Sequence, residues 1–221
     1  MIKLYHCPNA RSMRSLWLLN ELNLEFELVE MPFEQTHLRS PEYLSIHPLG
    51  RVPCLIDGSI KLFESGAICQ YLCEKYDSND QLGRGINNKE HIEWLQWLHY
   101  AETIAVHGAS LVQQNVIIAE EDRSPVVLKL ESRRLEKAVE VIDTHLNDRD
   151  YLLKSGFSAV DIGVGWSIHL GSMFKEYKEF PNVEKYYKTI QAREAFIQSL
   201  PKNIEDPLEN IWGLNDERYC R

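Results

Sequence analysis

Long apolar runs are missing from this chain of 221 residues. No stretch approaches the ~20 consecutive apolar residues that span a bilayer. Met1-Ile2-Lys3 leads into a strand-like run, not into an apolar leader with a small-residue cleavage site. Clustered positive charge is missing as well. There are 24 Lys and Arg against 33 Asp and Glu, a net charge of −9, and the longest basic run is Arg133-Arg134. Neutralising a phosphate backbone needs clustered cations, so neither nucleic acid nor a membrane is an expected partner. Cysteine is sparse and odd in number: Cys7, Cys54, Cys69, Cys73 and Cys220. That is poor material for a disulfide framework, and a reduced, cytoplasmic protein is expected. Cys69 and Cys73 lie one helical turn apart, but no matching Cys/His pair completes a zinc site. They read as small residues on a packed face, with no metal. Repeats and low-complexity tracts are absent too.

What is present divides into two halves. Residues 1–78 alternate strand and helix. Residues 2–5 form a short apolar strand, and 11–22 a helix with Met13, Leu16, Trp17 and Leu19 on an apolar face. "EFELVEM" alternates like a half-buried strand. "SPEYLSIHP" holds a helical turn stopped by Pro48, "VPCLIDGSIKLF" is a hairpin turning at Asp57-Gly58, and "SGAICQYLCEKY" is an amphipathic helix. The order β-α-β-α-β-β-α predicts an α/β domain around a small sheet. The polar stretch "DSNDQLGRGINN" places a linker at 79–88. Residues 89–221 keep helical periodicity throughout, which predicts an all-helical second domain.

Four short motifs fall on this layout in sequence order: "LYHCPNARSMRSLWLLNEL", "HPLGRVPCL", "LFESGAICQYL" and "SAVDIGVG", spanning residues 4–165. Together they resemble the first strand, active-site loop and first helix, the loop before a cis-proline, the third-helix turn and the capping motif of cytosolic glutathione S-transferases. The nearest flavour is the bacterial and fungal type. The resemblance implies a thioredoxin-like N-terminal domain followed by an all-α domain, glutathione as cosubstrate, a small hydrophobic electrophile as acceptor, and a homodimer.

It also implies roles for individual residues. Arg51, with His37, takes the glycine carboxylate of glutathione. The Val52 main chain, before Pro53, pairs with the peptide as an added strand. Glu64 holds the γ-glutamyl ammonium, while Ser65 and its N–H hold the α-carboxylate at a helix start. Glu102 is the candidate that reaches the partner subunit's glutathione. Tyr100, Val106, His107, Ser110 and Trp166 are candidates for the electrophile pocket. Ser158 and Asp161 form a capping box with a structural role.

The thiol-handling group stays open at this stage. Glutathione's thiol has a pKa near ~8.5, so the protein must stabilise its thiolate. Close relatives carry serines where this chain has Cys7 and Ala10. Cys7-Pro8 resembles the glutaredoxin and omega-class pattern, in which the cysteine forms a mixed disulfide with glutathione. Asn9 can offer its side-chain amide, Ser12 its hydroxyl, and backbone N–H groups are the remaining donors. The reaction is therefore conjugation or glutathione-dependent disulfide exchange. The competing class is a catalytically silent relative that keeps the fold as a binding or regulatory protein.

Overall fold

The computed structural model describes residues 1–202. Cys220 and the end of the helical region expected through 221 lie outside the described residues. The described chain divides into two compact units, one of Met1–Tyr76 with the helix Glu194–Ser199, the other Asp77–Arg193.

In the first unit the strands β1 (Ile2–His6), β2 (Phe26–Glu30), β3 (Cys54–Asp57) and β4 (Ile60–Phe63) form one sheet in the order β2-β1-β3-β4. β1 runs parallel to β2, and the other two pairings are antiparallel. The helices are α1 (Ser12–Glu21), α2 (Gln35–Leu38), α3 (Pro41–Ile46) and α4 (Ser65–Tyr76). The four-residue α2 has too few residues to show periodicity, and the sequence gives no sign of it. Leu4 and Leu55 of the sheet are fully buried, as are Met13 and Trp17 of α1 and Ile68 and Leu72 of α4.

Every residue of α1 from Ser12 to Leu19 is buried, although the pattern predicts a single apolar face. A helix buried on all sides needs cover on its outer face, and the helix α9 (Glu194–Ser199) supplies it. Phe196 meets Trp17 edge-on at 4.9 Å, and the Asn20 amide donates to Ser199 Oγ at 3.1 Å. The expected helical domain at 89–221 therefore loses this segment to the first unit, because Phe196 finds its apolar partner on α1.

The hairpin expected at Asp57-Gly58 is present, turning through Gly58 and Ser59. Asp57 also anchors α4: its Oδ2 accepts from Lys75 Nζ at 2.6 Å, Tyr76 Oη at 2.5 Å and Tyr71 Oη at 2.7 Å. These donors, Lys75 first, hold its carboxyl down to about 2. A carboxylate with a depressed folded pKa contributes stability that is present above its unfolded value and lost as pH falls through the folded one. Asp57→Asn should thus cost about 2 kcal/mol at neutral pH, somewhat less in high salt because Lys75 is exposed. In urea titrations the difference from the parent chain should shrink below about pH 4 and vanish near pH 2. A difference that persists unchanged at pH 2 would contradict this role.

The second unit is helical: α5 (His91–Val112), α6 (Pro125–His145), α7 (Ala159–Ser172) and α8 (Pro181–Gln191), with α5 passing into a π-helical turn at Gln113–Ile117. α7 is its centre, buried from Ala159 to Ile168. The expected capping box starts it: the Ser158 N–H donates to Asp161 Oδ2 at 2.8 Å, and Asp161 Oδ1 accepts from the Leu152 N–H and from Tyr186 Oη. Burial raises the Asp161 carboxyl to about 6. The stretch expected as a linker at 79–88 is instead built into this unit. Arg84 is buried and donates to the Gln81 carbonyl at 2.8 Å and to Ser155 Oγ at 2.6 Å, beside Glu90. A buried guanidinium requires many acceptors, and a polar loop wrapped round it provides them.

Candidate functional site

Strand register brings three segments side by side. Tyr5 pairs with Cys54, and Cys54 with Phe63. Past these paired ends β1 runs into the turn at Cys7, β3 is entered from Val52-Pro53, and β4 leads through Glu64 into α4 at Ser65. Packing agrees, because Val52 lies against the apolar cluster that contains Cys7. The Val52-Pro53 bond is cis, as the resemblance implies. Cys7, Asn9, Ser12, Arg51, Val52, Pro53, Glu64 and Ser65 are thus gathered at one end of the sheet. His37 lies in the last turn of α2, whose final residue, Leu38, sets its carbonyl against Gly50, so α2 borders the same loop. Glu102 lies exposed on α5 of the second unit.

Charge is distributed along this edge in alternation. Arg51 and Glu64 are exposed, whereas Ser65 is buried. Glu64 holds a left-handed φ of 77°, unusual for a residue with a Cβ and found where surroundings over-determine the backbone. Ser65 opens the twelve-residue α4, and its Oγ accepts from Arg14 Nη1 at 3.1 Å. Arg14 is a residue that the sequence reading misses. The available signal is a lone cation inside a helix otherwise fit for burial. It adds a positive charge to a helix start that already favours anions.

All three thiol candidates are buried, Cys7 and Ser12 at 0% and Asn9 at 4% exposure, and they differ in chemistry. Cys7 is fully buried in a cluster with Ala10, Met31, Leu38 and Tyr43. Burial, with a smaller push from Glu30, raises its thiol to about 12. A reactive cysteine needs a depressed pKa and access, and Cys7 has neither. Ser12 is also fully buried and is committed to its own loop. Its Oγ accepts the Cys7 N–H at 3.2 Å and lies 3.2 Å from the Cys7 carbonyl and 2.8 Å from His6 Nδ1. His6 is neutral at ordinary pH, since burial lowers it to about 4. With one proton and three neighbours, this hydroxyl closes the β1–α1 turn. Asn9 occupies the turn at a left-handed φ of 57°, a conformation asparagine tolerates better than most residues.

Among the expected pocket residues, Trp166 belongs to the core of the second unit at 2% exposure and offers a ligand no surface. It sits on the central helix, so its aromatic bulk serves packing. Tyr100 Oη donates to the Ala138 carbonyl at 3.0 Å, and Ser110 Oγ to the Val106 carbonyl at 3.0 Å. His107 Nδ1 lies 2.8 Å from Glu131 Oε2. Val106 is about half exposed. A cavity of about 230 Å³ in the same unit is lined by Asp148, Arg149, Asp150 and Lys185. Arg149 already pairs with Asp148, and Lys185 with Asp150, so this cavity has no unspent charge for a ligand.

Comparison with known proteins converges on one family. Residues 1–74 match the glutathione S-transferase N-terminal domain. The chain is similar to glutathione S-transferase F10 of Arabidopsis thaliana, 34% identical over 159 residues, covering 69% of this chain and 73% of the relative. It is also similar to a glutathione S-transferase of Silene vulgaris, 30% identical over 214 residues, covering 90% of this chain and 96% of the relative. Among solved structures, a glutathione transferase family member from Pseudomonas fluorescens with two glutathione bound superposes at a TM-score of 0.80. It shares 26% identity, and the alignment covers 90% of this chain and 91% of that one.

Proposed function

The chain belongs to the glutathione S-transferase family, and on that footing we propose that it is a glutathione transferase conjugating glutathione to a small hydrophobic electrophile. The observation that carries the reading is that the Cys7 turn, the 51–53 segment and Glu64-Ser65 adjoin the same end of the sheet, where β1 ends, β3 begins and β4 ends. Arg51, aided by His37, attracts the glycine carboxylate. The Val52 main chain pairs with the cysteinyl unit. Glu64 accepts the γ-glutamyl ammonium. Ser65, the start of α4 and Arg14 together hold the α-carboxylate. This donor and acceptor set matches a peptide with a carboxylate at each end and one ammonium.

For the chemistry, Asn9 donates its amide to the glutathione thiolate beside the first turn of α1, and Cys7 packs behind the turn. The buried, proton-retaining Cys7 supports conjugation over disulfide exchange, since a mixed disulfide needs an attacking thiolate. On this reading the omega-like role of Cys7 is set aside. The protein would work in the cytoplasm as a homodimer, with Glu102 approaching the glutathione of the other subunit. Val106 on α5 and Val126, Val127, Leu130 and Val141 on α6 expose apolar surface consistent with that pairing.

Thermal denaturation with millimolar glutathione tests the binding reading, because a ligand specific to the native state raises its melting temperature. The parent chain should shift upward. Arg51→Ala, at an exposed position, should leave the unliganded melting temperature unchanged and raise the glutathione KM by about 10–100-fold, the loss of a charge-assisted contact. A parent chain that shows no shift would favour the catalytically silent reading.

A further inference from the structure

The loop from His47 to Pro53 presents Arg51 and Val52, and one side chain inside the loop holds it. His47 is 4% exposed. Its Nδ1 accepts the Leu49 N–H at 3.2 Å, its carbonyl accepts the Gly50 N–H at 2.9 Å, and its own N–H donates to the Tyr43 carbonyl at 2.8 Å. The ring stacks near Tyr43, with centroids 6.5 Å apart, and lies 5.0 Å from Phe63. Tyr43 in turn donates its hydroxyl to the Arg51 carbonyl at 2.7 Å. His47 and Tyr43 therefore clamp the loop from both ends, one at Leu49 and Gly50, the other at Arg51.

We propose that His47 is the positioning residue of the glutathione-binding loop and that its protonation releases the loop, making glutathione affinity fall in acid. The proposal rests on the glutathione reading above for its ligand. The chemistry follows from proton inventory. A neutral imidazole has one donor nitrogen and one acceptor nitrogen. Because Leu49 donates, Nδ1 must carry the lone pair and Nε2 the proton. A second proton can go only to Nδ1, where it would face the Leu49 N–H. Protonation thus removes a hydrogen bond and sets two donors against each other.

The charged and titratable neighbours can be named. Burial lowers the His47 pKa below its ordinary 6.5; Glu64, ahead of α4, opposes this, and Arg51 in the loop reinforces it. Tyr43, on α3, keeps its proton because burial raises it well above the ordinary tyrosine range. Burial therefore favours the neutral ring at pH 7, and acid is needed to charge it. Glutathione adds a coupling. Its ammonium neutralises Glu64, the charged neighbour favouring imidazolium, so bound ligand and bound proton disfavour each other reciprocally.

The test is glutathione binding by calorimetry between pH 5 and 7.5 on the whole chain, with backbone amide protection at Leu49 followed in parallel. For the parent chain the dissociation constant should rise about fivefold between pH 7 and pH 5, equivalent to one neutral hydrogen bond. Protection at Leu49 should fall over the same range. His47→Asn places an amide oxygen near Nδ1 that accepts but does not titrate, so it should bind like the parent at pH 7 and show a flat profile. His47→Ala should bind weakly at every pH. A sloping profile in His47→Asn, a flat one in the parent, or Leu49 protection indifferent to pH would each overturn the proposal. A parent chain that binds no glutathione at any pH overturns the glutathione reading, and Leu49 protection then decides the loop clamp by itself.

Discussion

Gly50→Ala should abolish glutathione binding and lower the melting temperature by roughly 8–15 °C, a cost of about 4 kcal/mol in a chain of this size. Gly50 lies in the loop that presents Arg51 and Val52, at a φ of 54°. A Cβ there would sit 2.2 Å from the Leu38 carbonyl oxygen and 3.3 Å from Leu44 Cδ2. The first of these is a backbone atom at the end of α2, so relief requires the loop to part from α2. The left-handed φ alone costs an alanine only about 1–2 kcal/mol. Gly58 separates the two effects. It has a similar φ of 61°, but a Cβ would meet nothing within 4 Å. Gly58→Ala should therefore cost only the conformational part and leave glutathione binding intact. Equal losses at the two positions, by thermal denaturation and retention on immobilised glutathione, would show that the Leu38 contact is unimportant.

The second large effect concerns whose sulfur reacts. Asn9→Gly should reduce kcat for conjugation of a chloronitroaromatic by about 10–100-fold, while Cys7→Ala should stay within about threefold of the parent. Glycine is the right probe at position 9, because it deletes the amide and keeps the left-handed backbone that alanine would strain. At position 7 alanine removes a thiol that is buried and raised to about 12, a group that supplies packing and no thiolate. The cavity left by one sulfur in that cluster costs about 1 kcal/mol of stability, visible as a lower melting temperature without loss of rate. Ser12→Ala should behave differently from both. It leaves the Cys7 N–H without its acceptor and loosens the turn, so stability and rate should fall together.

Much of this was legible in the chain itself. The alternation of "FELVE", the turn at Asp57-Gly58 and the "GRVP" and "FESG" segments gave the sheet and the segments at its end, because local pattern and turn chemistry act over a few residues. Three features were not legible for reasons of range. Trp17 and Phe196 meet across 179 positions of sequence, and no local period signals that α9 covers α1. Arg84 falls in the stretch that sequence pattern places as a linker, and only its acceptors, scattered from Asp80 to Ser155, show it to be buried. Cys7 was read from its neighbour Pro8 and from the helix that follows it, features shared with reactive cysteines. What decides its reactivity is the apolar cluster formed by Met31, Leu38 and Tyr43, three residues on other elements. The same holds for Arg14 and His47, whose roles depend on Ser65 and Leu49 geometry that composition does not reveal.

The central claim is that the protein lowers the pKa of a bound thiol and does not supply one. The direct measurement is the ultraviolet thiolate absorbance of bound glutathione, titrated in the parent chain, Cys7→Ala and Asn9→Gly. The parent and Cys7→Ala should show one thiolate ionising well below the free value of about 8.5, with Asn9→Gly displaced upward by about 1–2 units. A low-pH thiolate that disappears in Cys7→Ala and survives in Asn9→Gly would contradict the account.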